Sequence, residues 1–207
     1  MLRVGLTGGL ATGKTLVGAT LAELGCLVIK ADVLGHQVLA RDGEAFEAVV
    51  NEFGPKILSS DGEIDRRKLA HEVFGHPERL ERLNTMVHPP VRARGRRLAE
   101  EFFADHPNGI AVTEAEILIE KGQYSEYARL IVTVCARDQQ VERAMARDRL
   151  SREEVEARLA RQMPVEETVK YADYVVDTSG PKEQTVSETR AVYESLERLA
   201  RAPLGAL

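Results

Sequence analysis

Gly8-Gly9-Leu10-Ala11-Thr12-Gly13-Lys14-Thr15 decides how this chain is read, because its spacing, G-x-x-x-x-G-K-[ST], is that of a phosphate-binding P-loop. Backbone N–H groups wrap a phosphate only where side chains leave room and φ can turn positive, and Gly8, Gly9 and Gly13 allow both. Lys14 brings a point charge to the β- and γ-phosphates of a nucleotide, and Thr15 offers a hydroxyl to Mg²⁺. The helix that starts here turns its positive end toward the same anion.

The flanks supply the frame that such a loop requires. Leu2-Arg3-Val4-Gly5-Leu6-Thr7 reads as a short strand, and Leu16, Val17, Ala19, Thr20, Leu21 and Leu24 recur as a helix that Gly25 ends. A Gly-rich turn before a helix has no need of the Lys14-Thr15 pair, so strand, loop and helix together point to nucleotide phosphate.

Next along the chain, Cys26-Leu27-Val28-Ile29 is apolar on both faces, as in a buried parallel strand, and runs into Lys30-Ala31-Asp32. Ligands of open α/β sheets lie beyond the carboxyl ends of strands, which makes Asp32 a candidate catalytic base. The competing reading is that Asp32 caps a helix from Val33 to Ala40. A helix from Asp42 to Phe53 is expected from the spacing of Phe46, Val49, Val50 and Phe53, with Gly54-Pro55 as its stop. Ser60-Asp61-Gly62 is a turn, Asp65 caps a helix to Gly75, and another helix starts near Pro77. After His88-Pro89-Pro90, Val91 to Phe103 is read as a separate helix whose Arg92, Arg94, Arg96 and Arg97 spread over more than half its circumference. Such a spread suits a solvated face better than a nucleic-acid patch. The segment from Leu34 to Asp105 shows no strand of evident quality and reads as a helical insertion.

Gly109 to Thr113 should be the next strand, ending at Glu114, a carboxylate placed where it could serve Mg²⁺ or its waters. Arg129 to Ala136 is another apolar strand, followed by Gln140, Arg143, Arg147 and the capping box Ser151-Arg152-Glu153-Glu154, which starts a helix to Gln162. Arg143 and Arg147 are four apart on one helical face and could close over a nucleotide, or pair instead with Glu142 or Asp148. Ala172 to Asp177 is the last strand, Thr178 to Pro181 a turn, Lys182 to Ala200 the closing helix, and Pro203 to Leu207 a loose tail.

Composition bounds the answer from outside. A chain of 207 residues supports one domain unit with inserted lobes. Its 43% hydrophobic and 29% charged residues are globular values, and a net charge of -5 argues for an enzyme over a nucleic-acid binder. Cys26 and Cys135 stand apart in apolar stretches, as buried thiols in a reducing compartment do. No apolar run has the length of a membrane span, so the expectation is a cytoplasmic protein with no obligate protein partner. His71 and His76 miss the spacing of a zinc-protease helix by one residue, and no metal is expected beyond Mg²⁺ carried by a nucleotide.

Taken together these landmarks resemble the dephospho-coenzyme A kinase family over nearly the whole chain. They are Gly5-Leu6-Thr7-Gly8-Gly9 running into Gly13-Lys14-Thr15, Ala31-Asp32, Asp61-Gly62-x-Ile64-Asp65-Arg66-x-x-Leu69, His88-Pro89, Gln140-x-x-Arg143, Gln162 and Ala172-Asp173-Tyr174-Val175-Val176-Asp177. The resemblance implies an α/β fold, the three-layer, adenylate-kinase-like P-loop kinase with a parallel sheet, an inserted helical substrate lobe and a helical lid. The corresponding segments are a core of 1–33, 106–137 and 168–207, a lobe of 34–105 and a lid of 138–167. It also implies ATP and dephospho-CoA as substrates, with the γ-phosphoryl passing to the ribose 3′-hydroxyl in the last step of coenzyme A synthesis. By position, Gly8, Gly9, Ala11, Thr12, Gly13, Lys14, Thr15, Leu16 and Arg147 would hold ATP phosphates. Lys14, Asp32 and Arg143 would be catalytic, Asp32, Arg66, His88 and Glu120 would meet the acceptor, and Thr15 with Glu114 would face Mg²⁺.

The chain departs from the family pattern at Lys30, commonly an aspartate, at Ala11, usually glycine, and at Leu16, often threonine. It departs again in Glu114-Ala115-Glu116-Ile117-Leu118-Ile119-Glu120, where Glu116 replaces a proline. Alanine at position 11 suits a negative φ, and Glu116 adds charge beside the loop. A kinase of another small hydroxyl compound, such as a nucleoside or shikimate, and an inactive nucleotide-binding regulator are the alternatives. No Asn-Lys-x-Asp guanine motif occurs.

Overall fold

The computed structural model describes residues 1–202, so the tail read from the sequence as loose lies outside the described residues. The chain divides into two compact units, one made of Met1–Ile29 together with the chain from Ala99 onward, the other of Lys30–Leu98.

The first unit is built on a five-stranded parallel sheet. Its strands are β1 (Leu2–Thr7), β2 (Leu27–Lys30), β3 (Ile110–Glu114), β4 (Arg129–Val134) and β5 (Tyr174–Asp177), in the order β2-β3-β1-β4-β5. Central β1 pairs in parallel with β3 and β4, and Leu6 stands opposite both Glu114 and Ile131. That register matters for the site, because the loop after β1 and the carboxylate ending β3 emerge at one edge of the sheet. The alternation of β4 sorts its side chains between two cores. Ile131 joins Val4, Leu6, Val17, Leu21 and Leu196 on one face, whereas Leu130 and Val132 join Leu118 and Ile119 on the other. Leu21 is fully buried, so its truncation to alanine would cost about 2–5 kcal/mol.

The first core is closed by α1 (Lys14–Glu23), which ends as expected before Gly25 at φ 93°, and by the long C-terminal helix Lys182–Arg201. The second unit is helical: α2 (Ala31–Val38), α3 (Phe46–Phe53), α4 (Arg66–Val73) and most of α5 (Pro77–Asp105). Val38, Val49, Phe53, Ile57, Ile64 and Leu69 form its core.

Boundaries in this unit differ from the sequence reading, and α2, expected over Val33 to Ala40, lies two residues earlier. The helix expected from Asp42 starts at Phe46, because the chain doubles back at Gly43, where a Cβ would lie 2.3 Å from the Val38 carbonyl oxygen. Two helices were expected around His88-Pro89-Pro90, but α5 passes through both prolines as one helix of 29 residues. Each proline removes a helical N–H. Leu83, Met86, Val87 and Val91 nevertheless pack on one core from both sides of the prolines, and that packing outweighs the local cost. Asp65 caps α4 as expected, accepting from the N–H groups of Arg67 and Lys68. Arg94, from the arginine-rich stretch, binds Glu44 at 3.0 Å and Gln37 at 3.1 Å, a structural use of that charge.

Back in the sheet unit, β4 stops at Val134 rather than Ala136, and α6 (Arg137–Asp148) and α7 (Arg152–Leu159) follow. The capping box that starts α7 is present in both directions between Ser151 and Glu154. Val141, Ala144, Val155 and Leu159 bury a small core between these two helices, and Leu10 of the phosphate loop is part of it. A short helix, α8 (Val165–Thr168), and then β5 lead to the C-terminal helix, α9 (Lys182–Arg201). No helix among the described residues is long and apolar enough to cross a membrane.

Candidate active site

The loop between β1 and α1 has the backbone that its sequence demands, with one exception. Gly8 and Gly13 take φ values of 147° and 87°, but the third positive value belongs to Ala11, at 56°, and not to Gly9. The sequence reading wanted a negative φ for Ala11; a left-handed alanine instead carries about 1–2 kcal/mol of strain. Gly9 is needed for space, since a Cβ there would lie 2.8 Å from Gln140 Nε2 and 3.0 Å from Gln162 Oε1. Those two amides grip the loop at Leu10: its N–H donates to Gln162 Oε1 and its carbonyl accepts from Gln140 Nε2, both at 2.9 Å. Thr12 adds a buried hydroxyl contact of 2.7 Å to Thr133 of β4.

Lys14 is buried, its Nζ donating to the carbonyls of Gly8 at 2.8 Å and Gly9 at 2.9 Å. Glu116 Oε1 stands 3.6 Å away. Burial pulls the Lys14 pKa below the usual lysine value, partly offset by the negative charges of Glu116 and Glu114, while Arg147 adds to the lowering. Lys14, Glu114, Glu116 and Arg147 thus share one electrostatic neighbourhood at the edge of the sheet. Glu114 comes close to α1, where a Cβ on Gly18 would lie 2.9 Å from its Oε2, one helical turn beyond Thr15. A threonine hydroxyl and a carboxylate are hard oxygen donors, the chemistry that suits Mg²⁺.

The two arginines of α6 part company. Arg147 takes the salt-bridge option, holding Asp148 through a fork of 2.7 and 2.9 Å. Arg143 takes neither Glu142 nor Asp148: its Nη1 donates to Thr178 Oγ1 at 3.0 Å and its Nη2 to the Thr178 carbonyl at 2.7 Å. Loop, lysine and oxygen donors are thus joined, through Thr178, to an arginine of α6.

The dephospho-CoA kinase family model matches residues 2–184. The chain belongs to that family. Dephospho-CoA kinase of Aquifex aeolicus is 40% identical over 198 residues, covering 96% of this chain and 99% of the relative. Among solved structures, a Thermus thermophilus protein matches at 34% identity with a TM-score of 0.77, over 94% of this chain and 97% of that one. Dephospho-CoA kinase from Campylobacter jejuni matches at 27% identity and a TM-score of 0.69, over 95% and 97%.

Within this family member the residues singled out from sequence fall in two groups. The sheet unit holds the whole loop, Glu114, Arg143, Arg147 and the exposed Glu120. The helical unit holds Asp32, Arg66 and His88. Asp32 is in the first turn of α2 and not at its cap, which is Lys30; its Oδ1 accepts from the Val33 N–H at 2.9 Å. The capping alternative therefore fails, and Asp32 remains exposed. Arg66 meets the ring of His36, and His88 lies half-buried within α5. Sequence reasoning missed Thr178, 3% exposed, because a threonine after a strand looks like turn chemistry. It treated Gln140 and Gln162 as landmarks without a task; their amides approach a single loop residue from α6 and from the turn after α7, which no local pattern reveals.

Proposed function

We propose that this chain transfers the γ-phosphoryl group of ATP to the ribose 3′-hydroxyl of dephospho-CoA, giving coenzyme A and ADP. The observation that carries the proposal is the loop closed around a buried Lys14, in a chain whose family model spans residues 2–184. The loop N–H groups and the α1 N-terminus bind the phosphates, and Lys14 neutralises charge on the β- and γ-groups. Arg143 meets the charge that spreads over the transferring phosphoryl oxygens. Asp32, exposed at the start of α2, accepts the 3′-hydroxyl proton as that oxygen attacks in line, while Arg66, His88 and Glu120 hold the acceptor. The Thr15 hydroxyl and Glu114 carboxylate would hold Mg²⁺, which when bound would neutralise negative charge on the phosphates. The α6–α7 pair is the lid, excluding water from the transfer. A reaction on soluble nucleotides fits a cytoplasmic enzyme.

The test is acceptor-dependent ADP release by purified protein with ATP, Mg²⁺ and dephospho-CoA, coenzyme A being measured directly. Coenzyme A formed in proportion to ADP supports the proposal. Equal ADP release without acceptor, or faster turnover with a nucleoside or shikimate, overturns it.

A further inference from the structure

Thr178, the first residue beyond β5, ties the phosphate loop to α6. Its hydroxyl accepts from Arg143 Nη1 at 3.0 Å and lies 2.9 Å from the Thr12 carbonyl, to which it donates. The Val134 carbonyl is 3.2 Å from the same hydroxyl, while the Thr178 N–H donates to it at 2.8 Å, fixing the residue to the end of β4. The Thr178 carbonyl takes a second Arg143 bond at 2.7 Å. One buried residue therefore receives two bonds from the lid guanidinium and passes one on to the loop, two residues before Lys14. The loop is shaped to this contact, since a Cβ on Gly13 would lie 3.0 Å from Thr178 Cγ2 and Oγ1.

We infer that Thr178 is a positioning residue for phosphoryl transfer, holding the Arg143 guanidinium in register with the loop that carries the nucleotide. A free arginine side chain has many rotamers, and the two anchored donors restrict that freedom before nucleotide arrives. Two of the five guanidinium N–H groups serve these anchors, so the group keeps donors for a phosphoryl oxygen. A hydroxyl that accepts from a cation is polarised and donates more strongly, so the charge of Arg143 stiffens the Thr12 carbonyl contact. The inference rests on the proposed kinase reaction and adds to it a residue that acts through Arg143.

The experiment is a double-mutant cycle of Thr178→Val and Arg143→Ala, run both on dephospho-CoA phosphorylation and on slow intrinsic ATP hydrolysis. ATP affinity and thermal unfolding are measured alongside. Thr178→Val should lower kcat about 10- to 100-fold with the KM for ATP within about twofold, and Thr178→Ser should restore most of the loss. In the Arg143→Ala background Thr178→Val should change kcat less than about twofold, because the partner it positions is gone. A loss from Thr178→Val of the same factor in both backgrounds, or a failure of serine to rescue, overturns the inference. A silent acceptor with a non-additive cycle in ATP hydrolysis would sink the choice of acceptor and leave the role of Thr178 standing.

Discussion

Glu116 Oε1 lies 3.6 Å from Lys14 Nζ, so a carboxylate faces the amine that, in the proposed function, meets the anionic phosphates. Glu116 is 46% exposed, against 9% for Lys14, and adds a smaller raising influence to that of the hydrogen-bonded Asp148 on the pKa of Arg147. It is therefore a counter-ion to the Lys14 amine beside the loop. Glu116→Gln removes a negative charge from the path of ATP, and at this exposure the gain is about 1 kcal/mol or less. Metal-free ATP should bind up to about fivefold more tightly to the variant, the advantage fading as salt is raised. Titration calorimetry in chelator reads this. Weaker binding of magnesium-bound ATP to the variant would instead show Glu116 acting as a metal ligand.

The same pair sets a pH dependence. Lys14 has its pKa lowered by burial, with Glu116 pulling it back up. Phosphate binding needs the charged amine, so ATP affinity should fall on the alkaline side at a lower pH than an ordinary lysine would give. Removing Glu116 removes a raising influence, and the alkaline limb should move further toward neutral pH. The dependence of ATP affinity on pH for wild type and Glu116→Gln checks the sign; an unmoved limb would show that the pair is not coupled in solution.

The loop, the strand before it and the helix after it were legible in the sequence because spacing and φ requirements are local properties. Asp65 as a cap and the Ser151–Glu154 box were legible for the same reason. The passage of α5 through Pro89-Pro90 was not, since it depends on a core assembled from four other segments. Neither was Thr178, whose partners Arg143 and Thr12 are 35 and 166 residues away. Chemistry carried by one segment shows in sequence; chemistry assembled across the sheet needs coordinates.

Ala11 stores strain that its replacement should release. At φ 56° an alanine pays for its Cβ, whereas glycine does not. Against this gain of about 1–2 kcal/mol stands the extra freedom of glycine in the unfolded chain, about 0.4–1 kcal/mol. Ala11→Gly should therefore stabilise the protein by roughly 0.5–1 kcal/mol, measured by denaturant unfolding. A destabilised variant would show that contacts of the Ala11 methyl with the core between α6 and α7 outweigh the strain.

Cys26 is 7% exposed, and burial pushes its thiol up to about 12. In the unfolded chain it ionises at its ordinary value, so above that pH the native state binds the extra proton and stability falls as pH rises. Cys26→Ala gives up packing but removes this proton linkage, so its stability should decline less steeply as pH rises above the free-thiol value of about 8.5 toward about 12. Urea midpoints across that range test it, and parallel curves for the two proteins would count against a buried neutral thiol.

Lys14 and Asp32 should fail in different ways, which separates holding the nucleotide from moving the phosphoryl group. Lys14→Ala deletes the charge that faces the phosphates and should lower kcat/KM about 100- to 1000-fold, with weakened ATP binding. Asp32→Asn keeps the size of the side chain and the acceptor for the Val33 N–H at the start of α2 but cannot take a proton. Its ATP affinity and thermal unfolding should match wild type, while kcat with dephospho-CoA falls about 100- to 10,000-fold. The proton route also predicts that intrinsic ATP hydrolysis changes far less than transfer to the acceptor. Unchanged turnover in Asp32→Asn would remove the base from the mechanism and leave Arg143 and the loop to carry transfer by charge and position alone.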